Sequence, residues 1–179
     1  PALSAMAELA LEANDPARAY ELLTRQAMAT DEPSERLRLF EALGDMALMM
    51  LGDEDRARVC FEAALAAANP LDARHLALLE KLLERQDLAG DHGGAARTAE
   101  LMAAFGTTGA DRAARLDRAA RDYLVAGDRD HARDVALRAV AADPYNLDAV
   151  ELASELALAA AGLDAVTDML GRFLSGKDD

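Results

Sequence analysis

One turn recurs five times along this chain: a small residue followed by an acid. The turns are Asn14-Asp15, Gly52-Asp53, Gly90-Asp91, Gly127-Asp128 and Gly162-Leu163-Asp164, with first residues 38, 38, 37 and 35 apart. A period of this length marks stacked helical pairs, in which each unit buries its apolar face only against its neighbours. Such an array confines function to surfaces rather than deep pockets.

The residues between the turns favour helix over strand. Ile and Trp are absent, Val is scarce, and Ala, Leu, Glu and Arg dominate. Ten helices are predicted. The first of each pair spans about 3–13, 33–51, 71–89, 110–126 and 146–161; the second spans about 16–30, 54–68, 93–105, 129–142 and 164–175. Asp15, Asp53, Asp91 and Asp128 are placed to cap second helices, and Pro16 fits a first helical position. Pro33, Pro70 and Pro144 punctuate the joints, and Gly106-Thr107-Thr108-Gly109 reads as a flexible joint. The whole chain, 1–179, is expected to form one repeat domain with units at about 1–31, 32–70, 71–109, 110–144 and 145–179.

Within the units a second pattern appears. The fourth carries Leu116, Ala119-Ala120 and Tyr123, then Ala132, Ala136 and Pro144. The second carries Phe40, Leu43-Gly44 and Ala47, then Ala57, Phe61 and Pro70, with one extra residue before Gly52. The first gives Leu3, Met6-Ala7, Ala10, Ala19 and Leu23; the fifth gives Val150, Ala153-Ser154, Ala157, Val166 and Leu170. The third gives Leu79, Leu82-Leu83 and Gln86, without a small residue. This arrangement resembles the tetratricopeptide repeat over essentially the whole chain. The resemblance implies an all-α fold, a right-handed superhelix (α-solenoid) of antiparallel helix pairs, serving as a general protein-interaction module. The small residues Ala7, Gly44, Ala120 and Ser154, facing Ala19, Ala57 and Ala132, then let paired helices approach closely.

In that family the first helices resemble the lining of a concave groove. The residue after each large anchor, with those four and seven further on, forms one helical stripe. The stripe reads Ser4, Glu8, Leu11; Glu41, Asp45, Leu48; Glu80, Glu84, Asp87; Asp117, Arg121, Leu124; and Glu151, Glu155, Leu158. Two readings stay open. An acidic groove with a Leu row suits a basic or amphipathic helix or peptide; a solvated helix face, with Leu48, Leu124 and Leu158 buried between units, suits the same residues. Clamping a partner's C-terminal carboxylate, one use of the family, calls for Lys and Asn on this stripe, where only Arg121 stands.

Charge narrows the partners. A formal net charge of −14 opposes nucleic-acid backbones and anionic membranes, so protein or peptide partners are expected. No stretch reaches the length of a membrane span. Cys60, the single cysteine, lies beside Phe61 and reads as a buried small hydrophobe. His75, His92 and His131 lack metal-ligand spacing, Asp128-Arg129-Asp130 lacks a full calcium loop, and Gly90–Gly94 lacks a phosphate cradle's Lys. No catalysis and no cofactor are expected. Arg far outnumbers Lys, present only at 81 and 177, which with the Ala bias points to a GC-rich bacterial gene. The apolar final helix (Val166, Met169, Leu170, Phe173, Leu174) and first helix (Leu3, Met6, Leu9) point to a longer parent or to self-association. The compartment stays open, cytoplasmic ahead of periplasmic. Alternatives to a binding scaffold are a self-assembly module stacking through its ends and a regulatory segment of an enzyme or transcription factor.

Overall fold

The computed structural model describes residues 2–68, 73–161, 166–168 and 170–171. Among them are nine α-helices and no strand: α1 Ala2–Glu12, α2 Pro16–Ala29, α3 Pro33–Met46, α4 Glu54–Ala67, α5 Ala73–Ala89, α6 His92–Ala103, α7 Gly109–Val125, α8 Arg129–Ala142 and α9 Leu147–Ala161. The chain packs as two compact units, residues 1–85 and 86–179. Of the tenth expected helix, residues 166–168 and 170–171 are helical, and Leu170 packs on the core of the second unit. The fifth turn, Pro70, Met169, Phe173 and Leu174 lie outside the described residues.

The repeated turn works as a helix stop joined to a helix start. Asn14, Gly52, Gly90 and Gly127 take φ values of 56, 62, 68 and 85°, the left-handed conformation that Gly and Asn adopt most cheaply. The acid that follows then caps the next helix. Asp15, Asp53, Asp91 and Asp128 accept from the backbone N–H of Arg18, Arg56, Gly94 and His131, at 3.0, 2.9, 2.9 and 3.2 Å. Each cap satisfies an otherwise orphan donor, an effect worth about 1 kcal/mol.

The extra residue before Gly52 is absorbed without breaking the unit. Residues Ala47–Leu51 continue α3 as a π-helical turn, whose wider ring takes up one residue. The N–H groups of Gly52 and Asp53 both close on the carbonyl of Ala47. Ala47 stays buried while Met49 and Met50 turn out to solvent.

In the first unit, Phe61 of α4 is fully buried among Leu37, Ala47, Ala57, Ala64, Leu78 and Leu82. Gly44 explains how it fits: a Cβ there would lie 2.8 Å from Cδ1 and Cζ of Phe61 and closer still to Cε1. Cys60 is buried beside it, its Sγ 3.1 Å from the Tyr20 hydroxyl. Burial pushes the Cys60 thiol up, against the opposing hydrogen bond from Tyr20. Slow alkylation of the native protein at pH 8, becoming fast on unfolding, is the expected outcome in a timed thiol-labelling assay.

In the second unit, one core joins Ala96, Ala99, Leu116, Ala120, Tyr123, Val135, Val140 and Leu152, among others. The small positions Ala120, Ala132 and Ala153 are 0% exposed, so α7, α8 and α9 meet at close range. In the third repeat unit Gln86 is buried, and Gly94 lies close to it: a Cβ there would come 2.9 Å from Gln86 Nε2.

The Gly106–Gly109 joint is a capped helix start rather than a loose hinge. Thr108 accepts from the N–H of Asp111 at 3.0 Å, and Thr107 donates to the Asp111 carboxylate at 2.8 Å. Hydrogen bonds to its carboxylate, from Thr107 first and then from Thr108, hold Asp111 below its ordinary pKa. A Cβ on Gly109 would overlap the Ala142 carbonyl oxygen, which is backbone and cannot rotate aside. Gly109→Ala should therefore cost about 1–3 kcal/mol by urea denaturation, despite Ala's better helix propensity.

Tyr123 is 7% exposed, donates to Glu100 at 3.1 Å and stacks on His131. Burial, then the Glu100 carboxylate, raises its pKa from 10.0 to about 12. The folded state keeps this proton where the unfolded chain releases it. The resulting stability is complete below about pH 10 and is lost as pH climbs through 12. Tyr123→Phe should flatten that alkaline decline when urea midpoints are compared between pH 9 and 12.

Candidate functional site

The expected binding residues are surface residues in both units; none of them is fully buried. In the first unit, Glu41 and Asp45 stand one turn apart on α3. Their spacing of four puts both carboxylates on one side of the helix. They are not free, however. Lys81 of α5 donates to Glu41 at 3.2 Å and to both Asp45 oxygens at 2.9 and 3.0 Å. It also sits 5.4 Å from the centre of the Phe61 ring. Burial alone would lower the Lys81 pKa, but the bonds to Asp45 and Glu41 outweigh it and the net shift is upward. Lys81 therefore stays protonated and partly neutralises the acidic pair.

The reading of one helical stripe missed Lys81. It lies one residue beyond the stripe position Glu80, yet 40 residues after Glu41 and 36 after Asp45, close to one repeat period. A cation one period downstream of an acidic pair was the available signal. Arg85 repeats the device nearby: it pairs with Glu84, another stripe residue, and with Glu54 at 3.2 Å. Glu8 and Glu80 are exposed and carry no ion pair among the described residues. Ser4 donates to Gln26 at 2.8 Å, so it braces α1 against α2 rather than facing a partner. Leu48 is half-buried against the Phe61 core.

In the second unit, Asp87 is held by Arg118 at 2.6 Å, and Arg118 also reaches Asp122 at 3.3 Å. Asp117 and Arg121 pair along α7 at 2.9 Å. The Arg121 pKa is raised first by that hydrogen bond, against burial, and further by the charges of Asp148 and Glu151 on α9. So α7 and α9 bring Asp117, Asp148 and Glu151 around a single guanidinium, and acid prevails there. Glu155 follows Glu151 by one turn and is exposed, as is Leu158. Leu124 is half-buried against the core, part anchor and part surface.

Next to this face is a half-open cavity of about 400 Å³. Leu124, Leu156, Ala159 and Ala160 supply its apolar wall. Glu155 lies on its α9 side, and Asp130, Arg129 and Arg133 lie on its α8 side. No sequence signal pointed to it, because three helices contribute.

Among the described residues, no group of three His, Cys, Asp or Glu side chains could hold a metal ion, and no helix is long and apolar enough to cross a membrane. His131 instead accompanies the Asp128 cap, 2.9 Å from its carboxylate, and His92 lies 3.7 Å from Asp122.

No protein-family model matches the chain, and no curated protein matches it in sequence. Solved structures do align with it along most of its length. The MamA RS-1 ArsTM double mutant is 15% identical, covering 99% of this chain and 96% of that one, with a TM-score of 0.46. MamA from Desulfovibrio magneticus RS-1, residues 41 to the end, is 14% identical, covering 99% and 96%, with a TM-score of 0.43. The nearly identical TPR-like repeats of a Podosopora anserina putative kinesin light chain are 16% identical, also covering 99% and 96%, with a TM-score of 0.48.

Proposed function

We propose that this chain is a non-catalytic protein-interaction scaffold that binds a basic or amphipathic peptide or helix through the acidic faces of its first helices. The observation that carries this reading is the recurrence of exposed acids at the first two stripe positions of the first helices, Glu80 and Glu151 at the first and Glu8 and Glu155 at the second, none with an ion pair among the described residues. A net charge of −14 adds a long-range field that draws in basic partners and weakens with salt. A single exposed pair is worth only about 0–1 kcal/mol, so affinity would come from several acids acting with nearby Leu side chains.

The acids are not equivalent. Glu41 and Asp45 already hold Lys81, so their removal should weaken a basic partner less than removal of Glu151 and Glu155. Lys81→Met should do the opposite and tighten it two- to fivefold, because it frees two carboxylates for about 0.5–1 kcal/mol of new pairing. Titration of a fluorescent Lys- and Leu-containing helical peptide into each variant checks both. Equal affinities throughout would contradict the ranking.

The wider test is a pull-down from source lysate at low and high salt, with the native chain beside a variant carrying Glu41→Gln, Asp45→Asn, Glu151→Gln and Glu155→Gln together. A basic partner kept by the native chain and lost by the variant and by high salt supports the reading; equal recovery by both baits removes it. Self-association has one observation in its favour, since Met6 and Leu9 of α1 are 48% and 63% exposed. A mass that rises with concentration and ignores salt would favour it.

A further inference from the structure

The cavity between α7, α8 and α9 has features that the acidic faces alone lack. Its wall is apolar, with Leu124 and Leu156 half-buried and Ala159 and Ala160 small and exposed. Its rim is electrically divided. Glu155 on α9 continues the acidic face of Asp148 and Glu151, whereas Arg129 and Arg133 lie one turn apart on α8. Among the described residues Arg129 forms no ion pair, and Arg133 pairs with Asp130 and Asp134 alone, at 3.6 and 4.0 Å. These contacts are long, so the guanidinium planes stay open for a further partner.

We infer that this cavity receives a large aromatic side chain of the partner segment, flanked on one side by basic residues directed at Glu151 and Glu155. The inference rests on the acidic-face reading and adds to it the point where the partner's apolar anchor enters. An aromatic anchor suits the site because about 400 Å³ accommodates one ring system, and because guanidinium groups stack over aromatic faces. An exposed apolar pocket with charged edges is the form in which one anchor residue dominates an interface. The divided rim also sets direction: basic residues of the partner face α9, and its opposite flank, neutral or acidic, faces Arg129.

The chain contains no Trp, so a Trp placed in a probe peptide reports on its own surroundings. The probe is a helical peptide of Lys, Ala and Gln with one central Trp, beside the same peptide with Ala in its place. Ala159→Phe and Ala160→Phe fill the cavity from exposed positions, and circular dichroism verifies that their helix content is native. On binding the native chain, Trp emission should move to shorter wavelength, and the Trp peptide should bind about tenfold tighter than the Ala peptide. Both advantages should vanish in the filled variants, while salt-sensitive binding of the Ala peptide persists. If the Trp and Ala peptides bind the native chain equally, with salt sensitivity intact, the cavity inference is overturned and the acidic-face reading survives. If neither peptide binds at low salt, both are overturned.

Discussion

Replacing Phe61 with Ala is expected to cost about 3–5 kcal/mol, the usual loss for removing a buried aromatic ring. Phe61 is 0% exposed and is the largest fully buried side chain among the described residues. It touches residues from α3, α4 and α5, so its loss leaves a cavity at the centre of the first unit rather than at an edge. The ring also lies under Lys81, so the variant should loosen the Lys81–Asp45 contact as well. Urea denaturation followed by circular dichroism measures the cost. A loss below about 1 kcal/mol would mean that the site collapses freely around the missing ring.

Gly44→Ala is the complementary experiment, adding volume to the same place. The new methyl group would overlap the ring edge of Phe61, and a ring packed on every side has no empty space to move into. The expected cost is about 1–3 kcal/mol, even though Ala is the better helix former by about 1 kcal/mol. Combining the change with Phe61→Leu tests the cause. Gly44→Ala should cost far less in that background, with a coupling of about 0.5–3 kcal/mol. Strict additivity would show that Gly44 is needed for some reason other than the ring.

These two residues also show what the sequence made legible. The small position at Gly44 was readable from the repeated pattern, which set it against Ala57; that the Phe61 ring fills the space beside it emerges only from the packing. The turns were equally plain. Asn14, Gly52, Gly90 and Gly127 announce a chain reversal, and the following Asp announces a helix start, because both effects act within a few residues. The extra residue before Gly52 could be counted, but its π-helical accommodation depends on Ala47 staying buried while Met49 and Met50 go outward. The Gly106–Gly109 segment was misread through its glycines. Its threonines bind Asp111, and Gly109 is needed for the approach of the Ala142 carbonyl rather than for freedom of motion.

The proposed binding surface was less legible for a physical reason. A stripe along one helix counts charges as though each helix stood alone, but Lys81 belongs to α5 and neutralises a pair on α3. Arg118 does the same for Asp87 from α7. Such pairs form only when helices stack, so the acidity a partner would meet is lower than the sequence count. It is concentrated at the residues left over, Glu151 and Glu155 foremost. The cavity beside them was invisible in sequence because α7, α8 and α9 each contribute only part of its wall.

Whether Glu151 and Glu155 belong to a binding surface is decided by one titration. The Lys- and Leu-containing helical peptide is titrated into the native chain and into the Glu151→Gln, Glu155→Gln double variant, at about 50 and 500 mM salt. Tight binding is expected only by the native chain at low salt, with at least about tenfold weaker binding in the double variant and convergence of the two at high salt. Equal affinities for both proteins at low salt, or an affinity unchanged by salt, would contradict the acidic-face reading.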